Sequence, residues 1–158
     1  MYSNELICNI LDFLDKNINQ KITIEEISNK FNYNHYHIMK LFKKEIGCSI
    51  NTYINNIRIL NSINNLKSNH NYSFTKIALL NGFYSKEYFS KTFHKIIGVS
   101  PRTFQNLFFN RHKITIQELN TITTNWTNLQ TLKNFTQKYK KNKLPTTIPV
   151  LKRSIFNH

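Results

Sequence analysis

The chain is short of the residues on which several kinds of function depend. It has two cysteines, three glycines, three prolines and eight acidic residues among 158. Two cysteines make no disulfide framework. Cys48 reads instead as a small buried hydrophobe, and Cys8, beside Ile7 and Ile10, as packing for a first helix. The glycines are scattered, so there is no Gly-rich phosphate loop, and no Ser/His/Asp set or metal-spaced Cys/His cluster occurs. His35 and His37 stand two apart, a spacing that a helix splays rather than converges on a metal. No catalytic residue, metal or cofactor is therefore expected. No apolar run is long enough to span a bilayer, so no membrane partner is expected. The N-terminal Met-Tyr-Ser-Asn-Glu lacks a basic and then apolar leader, which points to the reducing cytoplasm.

What the chain has in excess is positive charge. Its net charge is +14, unevenly spread: −2 through Asn34, +8 over residues 35–110 and +8 over residues 111–158. A polyanion such as nucleic acid fits that balance, and so does a merely solvated lysine-rich surface. Charge alone does not separate the two.

A repeat does. Residues 27–49 and 77–100 carry the same pattern. Ile27 matches Ile77, Phe42-Lys43-Lys44 matches Phe93-His94-Lys95, and Gly47-Cys48-Ser49 matches Gly98-Val99-Ser100. The offset is 50 before an internal turn and 51 after it, and each copy reads as a short helix, a tight turn and a second helix. Around the copies, Leu6, Ile7, Ile10, Leu11 and Leu14 give an amphipathic helix over 4–17. Thr23-Ile24-Glu25-Glu26 fits a capping box, Asn34 caps a helix over about 35–45, and Gly47 ends it. Ser49 caps a longer helix over 50–67, broken by Ser68-Asn69-His70-Asn71. Ser73, Ser85 and Ser100-Pro101 open three more, with Asn81-Gly82 as the second internal turn. Beyond Asn110, Ile114, Ile116, Ile122 and Trp126 lie among many threonines, a texture that favours strand. Leu129–Tyr139 reads as a helix before a lysine run at 138–143, and Leu144–Val150 as extended or loop. The expected fold is all-α: a seven-helix unit with two helix-turn-helix subdomains and a linker helix, plus a short C-terminal appendage. The tandem unit occupies 1–110, with the first helix-turn-helix at about 24–45, the linker at about 50–67 and the second at about 74–97; 111–158 is a basic tail.

The second helix of each copy has an inward and an outward stripe. In the first, Ile38, Leu41 and Phe42 face in, while Tyr36, Met39, Lys40 and Lys43 face out. The matching sets are Phe89, Thr92 and Phe93, and Glu87, Ser90, Lys91 and His94. A major groove admits such a helix. Lys40 and Lys91 suit guanine O6 and N7 or phosphate, Tyr36 and Met39 suit thymine methyls, and Glu87 suits cytosine N4. Lys43, Lys44 and Lys95 suit phosphate, and His35 and Lys86 complete the candidate DNA-binding set. A linker of about 18 residues spans roughly 27 Å, near the ~34 Å between successive major-groove segments on one face. The partner expected is double-stranded DNA, bound at an asymmetric site by a monomer.

Ile77-Ala78, Gly82-Phe83, Tyr88-Phe89-Ser90-Lys91, Phe93 and Gly98-Val99-Ser100-Pro101 together resemble the signature of the AraC/XylS family of bacterial transcription regulators. The first copy, with His37, Lys40, Leu41-Phe42-Lys43-Lys44-Glu45, Gly47 and Tyr53-Ile54, is similar to that family's first helix-turn-helix. The resemblance covers about residues 4–108 and is nearest the MarA/SoxS/Rob subgroup. It implies a seven-helix, two-subdomain fold, a cytoplasmic and nucleoid-associated location, and activation through contact with RNA polymerase. The subgroup has Trp at Tyr36, Gln at Met39, Arg at Lys40, Gln-Gln at Lys86-Glu87 and Arg at Lys91, and usually Gly at Asn32. Lysine does not copy arginine's bidentate fork, so the subgroup's sequence preference does not carry over. His112-Lys113-Ile114-Thr115 and Pro145–Leu151 resemble pieces of an effector-binding domain, here truncated. The alternative is a sequence-indifferent nucleic-acid-binding or packaging protein, for which the basic tail speaks.

Overall fold

The structure is a computed structural model that describes residues 3–68, 71–109 and 115–142. Among these, every regular element is a helix: α1 (Ser3–Asn17), α2 (Ile24–Phe31), α3 (His35–Ile46), α4 (Ile50–Ser68), α5 (Phe74–Leu80), α6 (Lys86–Ile97), α7 (Pro101–Phe108) and α8 (Ile116–Asn142). The first seven begin and end within a few residues of the sequence expectation. Asn69, His70, residues 111–114 and residues 143–158, with their readings as chain break, strand start, lysine-run end and loop, lie outside the described residues.

Local chemistry sets these boundaries. Thr23, Asn34, Ser73, Ser85 and Ser100 are extended residues whose side-chain oxygens accept an amide of the helix they open. Ser49 Oγ accepts from the Thr52 amide at 3.1 Å. Pro101 stands at the start of α7, where its missing N–H costs nothing.

The chain divides into two compact units. The first comprises α1, α2, α3, the opening turn of α4 and α8 from Thr131 onward. Leu6, Ile7, Ile10, Leu11 and Leu14 are its buried α1 face, with Ile27, Ile38, Phe42, Ile46 and Tyr53 buried from the following helices. Tyr53 donates its hydroxyl to Asp15 at 3.1 Å. Cys48 is buried here, and burial pushes its thiol up to about 12, as suits an inert packing residue. The second unit runs from Asn55 to Gln130. Its core joins Ile59, Leu60, Ile63 and Leu66 of α4 to Ile77, Phe83, Phe89, Phe93, Ile97 and Phe104. Phe89, Phe93 and Phe104 meet edge to face at 5.4–5.7 Å.

The strand reading of the threonine-rich stretch is corrected by α8, a helix of 27 residues. Within it Thr121 and Thr123 return their hydroxyls to the carbonyls of Gln117 and Leu119 at 2.9 and 2.8 Å. A capping box starts it. Thr115 Oγ1 accepts the Glu118 amide at 3.1 Å, and Glu118 Oε2 accepts the Thr115 amide at 3.0 Å. Within the second unit, Ile122 and Leu129 are buried and Asn125 Nδ2 donates to the Ile97 carbonyl at 3.0 Å. Within the first, Leu132, Thr136 and Tyr139 are buried, and the Tyr139 hydroxyl donates to Asn4 Oδ1 at 3.1 Å and Glu45 Oε2 at 3.3 Å. Lys140 lies 3.0 Å from Asp12 and 2.6 Å from Asp15. Burial pulls its ammonium down, but the two carboxylates outweigh that and hold its pKa above the usual lysine value. A raised pKa means that this contribution is full below the ordinary lysine pKa and fades as pH rises through the raised one.

These contacts make α8 part of each unit's core. Leu129→Ala and Leu132→Ala should each lower unfolding free energy by about 2–4 kcal/mol, measured by urea denaturation. A helix merely resting on the surface would leave both midpoints where they are.

Candidate nucleic-acid interface

The two internal turns have the same backbone solution. Asn32 ends α2 in the left-handed region at φ 55° and ψ 45°, and Gly82, fifty residues on, stands at φ 78°. Asparagine tolerates this conformation better than most side chains, which is why it can stand where the second copy has glycine. Gly47 and Gly98 end α3 and α6 at φ 92° and 96°. A Cβ on Gly98 would also lie 2.7 Å from Thr121 Cγ2. Asn32→Gly should therefore leave stability within about 0.5 kcal/mol and Asn32→Val should lower it by more than about 1 kcal/mol, read from thermal melts.

Between the left-handed residue and the cap of the following helix, the first copy has only Tyr33, while the second has Phe83 and Tyr84. This is the extra residue behind the change of offset. Phe83 takes the inward place at 1% exposure, and Tyr84 the outward place at 78%.

The inward stripes are where the sequence puts them. Ile38 and Phe42 are buried and Leu41 half-buried in the first unit; Phe89, Thr92 and Phe93 are buried in the second. The opposite faces are open. On α3, Tyr36 is 70% and Met39 40% exposed, and Lys40, Lys43 and Lys44 are exposed. His35 is half-buried, its ring 4.0 Å from that of Tyr36. On α6, Lys86, Glu87, Lys91, His94 and Lys95 are exposed and Ser90 half-buried. α3 and α6 thus each bring most of their candidate residues onto one accessible face, with His35 and Ser90 half-buried at it.

The charges on those faces are available. Among the described residues Lys40, Lys43, Lys91 and Lys95 have no carboxylate partner. Lys44 reaches Glu45 only at 4.0 Å, and Lys86 meets Glu87 at 3.6 Å with both side chains mostly in water. Such exposed pairs hold their lysines weakly. By contrast, Arg58 is buried with its guanidinium 5.9 Å from the Phe83 ring, and burial lowers its pKa. It belongs to the core. The exposed aromatic that sequence reasoning missed is Tyr84. The offset change marks a longer turn but does not say which of its two aromatics faces out.

A helix-turn-helix domain model matches residues 27–107, which takes in both copies. A probable transcription factor, PqrA of Proteus vulgaris, is 30% identical over 105 residues, spanning 65% of this chain and 85% of the relative. The chain belongs to the AraC-type helix-turn-helix family of DNA-binding transcription regulators. The multiple antibiotic resistance protein MarA of Escherichia coli is 28% identical over 99 residues, 63% of this chain and 77% of its own. The transcriptional activator AarP of Providencia stuartii is 26% identical over 104 residues, 66% and 76% of the two chains. The C-terminal domain of the response regulator AraT from Geobacillus stearothermophilus shares the fold with a TM-score of 0.62 at 23% identity, over 70% of this chain and 88% of its own. An AraC-type regulator from Chromobacterium violaceum does so with a TM-score of 0.59 at 21% identity, over 67% and 94%. Family and relatives give a transcription regulator whose partner is DNA, and not an enzyme. No described helix is long and apolar enough to cross a membrane.

Proposed function

We propose that this regulator binds one asymmetric promoter element as a monomer and activates transcription from it. Residues 1–110 carry the DNA-binding activity, α3 and α6 enter adjacent major grooves, and α4 is the spacer. The observation that carries this reading is the outward stripe that each repeat presents. The two stripes occupy equivalent positions but differ chemically, with Tyr36, Met39, Lys40 and Lys43 in one and Glu87, Ser90, Lys91 and His94 in the other. Two different readers call for two different half-sites, so no palindrome or second copy of the chain is required. The 19 residues of α4 give it a length of roughly 28 Å, which suits readers a helical turn of DNA apart.

In this reading Lys40 and Lys91 reach base edges or the nearest phosphates, and Lys43, Lys44, Lys86 and Lys95 hold the backbone. Tyr36 and Met39 supply apolar contact to thymine methyls, Glu87 and Ser90 polar readout, and His35 and His94 the flanks. Activation is motivated by AarP, a transcriptional activator, and implies a contact with RNA polymerase at the nucleoid. The second reading, sequence-indifferent binding or packaging, is favoured by the net charge of +14.

A gel shift against excess random duplex separates the two. The regulator should hold a selected site against competitor at a salt concentration that strips non-specific DNA. Equal affinities for unrelated duplexes would leave the packaging reading. Lys40→Ala and Lys91→Ala should each weaken binding by about 1–3 kcal/mol and each thin a different half of the footprint. Unchanged protection in both variants would remove these stripes from the interface.

A further inference from the structure

A second line of side chains runs along each recognition helix, beside the stripe described above and sharing one lysine with it. Counted from the helix caps Asn34 and Ser85, the line has an aromatic residue just before the cap (Tyr33, Tyr84). A second aromatic lies three residues after it (His37, Tyr88), and lysines follow at the same two later positions (Lys40 and Lys44, Lys91 and Lys95). Spacings of three and four residues keep these groups on one edge of a helix. In both copies the aromatic pair is stacked, Tyr33 on His37 at 5.7 Å and 16° and Tyr84 on Tyr88 at 5.0 Å and 15°.

The two pairs are not equally placed. Tyr33 is half-buried, whereas Tyr84 is 78% exposed and hydrogen-bonded to no described residue. Tyr88 beneath it is fixed, because Asn55 Nδ2 donates to its hydroxyl at 3.0 Å and the Phe83 ring lies 5.9 Å away. A chain of contacts from α4 through Tyr88 therefore holds an outward phenol in one place, on the edge that carries Lys91 and Lys95. A helix lying in a major groove turns its central stripe to the bases and its edges to the phosphates of the groove walls.

We propose that Tyr84 is a further DNA-positioning residue, its hydroxyl donating to a backbone phosphate beside those held by Lys91 and Lys95. This rests on the reading of α6 as a groove-entering helix and adds to it a neutral, pre-organised donor. Stacking on Tyr88 means that little side-chain freedom is lost on binding. A hydrogen bond from a neutral donor to an ionised acceptor is among the stronger kinds.

The test uses the full chain and fluorescence anisotropy on a duplex selected from random sequence. Tyr84→Phe keeps the ring and the stack and removes only the hydroxyl. It should weaken binding about tenfold, by a similar factor on an unrelated duplex, and leave the salt slope as it is. Lys91→Ala should instead reduce that slope by about 1. A neutral methylphosphonate at the contacted linkage should weaken the wild type and add nothing to the loss in Tyr84→Phe. The proposal is overturned if Tyr84→Phe binds within about twofold of wild type, or if its loss is confined to the selected sequence. If the wild type prefers no duplex at all, the groove reading of α6 fails with it, an outcome distinct from a silent Tyr84→Phe.

Discussion

The structure turns on the burial of one side of two short helices. α3 and α6 are 12 residues each, and Ile38, Phe42 and Ile46 in one and Phe89, Phe93 and Ile97 in the other are almost fully shielded from water. Each large apolar side chain contributes about 1.5–3 kcal/mol by its burial. Rolling either helix by one residue would surrender several such terms. The outward face is therefore fixed by what cannot be allowed out. Tyr36, Met39 and Lys40, or Glu87 and Lys91, are presented at a constant angle without holding themselves there. The left-handed residues Asn32 and Gly82, and the capping oxygens of Asn34 and Ser85, then set where each helix starts.

Most of this was legible in the residues because local and global signals agree. Caps mark the starts of α2 to α7, glycines end α3 and α6, the apolar period marks α1 and α4, and the repeat cross-checks the two copies. Cys48 opposite Val99 read as a small core residue, and both are buried. The tail was less legible. Its threonines favour strand as isolated residues, against the helical spacing of Ile122, Trp126 and Leu129. The Thr115-Ile116-Gln117-Glu118 capping box is the helix signal within it. What reverses the preference is the demand of two cores for the apolar side of α8. The turn of the second repeat was half-legible. Phe83 and Tyr84 are both aromatic, and only packing decides which is the core residue and which stands in water.

The size of the units explains why that demand exists. The second unit spans residues 55–130 and the first draws on residues 1–54 together with the chain from Thr131. Units this small bury a modest fraction of their surface and need each available apolar side chain. Ile122 and Leu129, with Trp126 packed against their cluster, are among those supplied to the second unit, and Leu132 and Tyr139 to the first. Polar ties accompany them, from Asn125 to Ile97, from Tyr139 to Asn4 and Glu45, and from Lys140 to Asp12 and Asp15. Lys140 is thereby occupied within the fold and is not part of the charge available to DNA, although composition counts it so.

The lysines at positions 40 and 91 bear on how recognition would be divided along each helix. A guanidinium that grips two guanine acceptors reads a base; an ammonium at the same place is a point charge that serves a phosphate almost as well. In the groove reading, the positions at which the two copies agree therefore lean towards backbone grip: Lys40 with Lys91, Lys44 with Lys95, and a stacked aromatic before each cap. The positions at which they disagree at the centre of the stripe would carry the sequence information: Tyr36 against Glu87 and Met39 against Ser90. An anionic carboxylate and an aromatic ring at matching places cannot favour the same base, because one accepts a hydrogen bond and the other offers an apolar edge. Shared residues then set how tightly a duplex is held, and unshared ones set which duplex. In that reading repetition would give the domain its affinity, and divergence between the repeats would oblige its preferred site to be asymmetric.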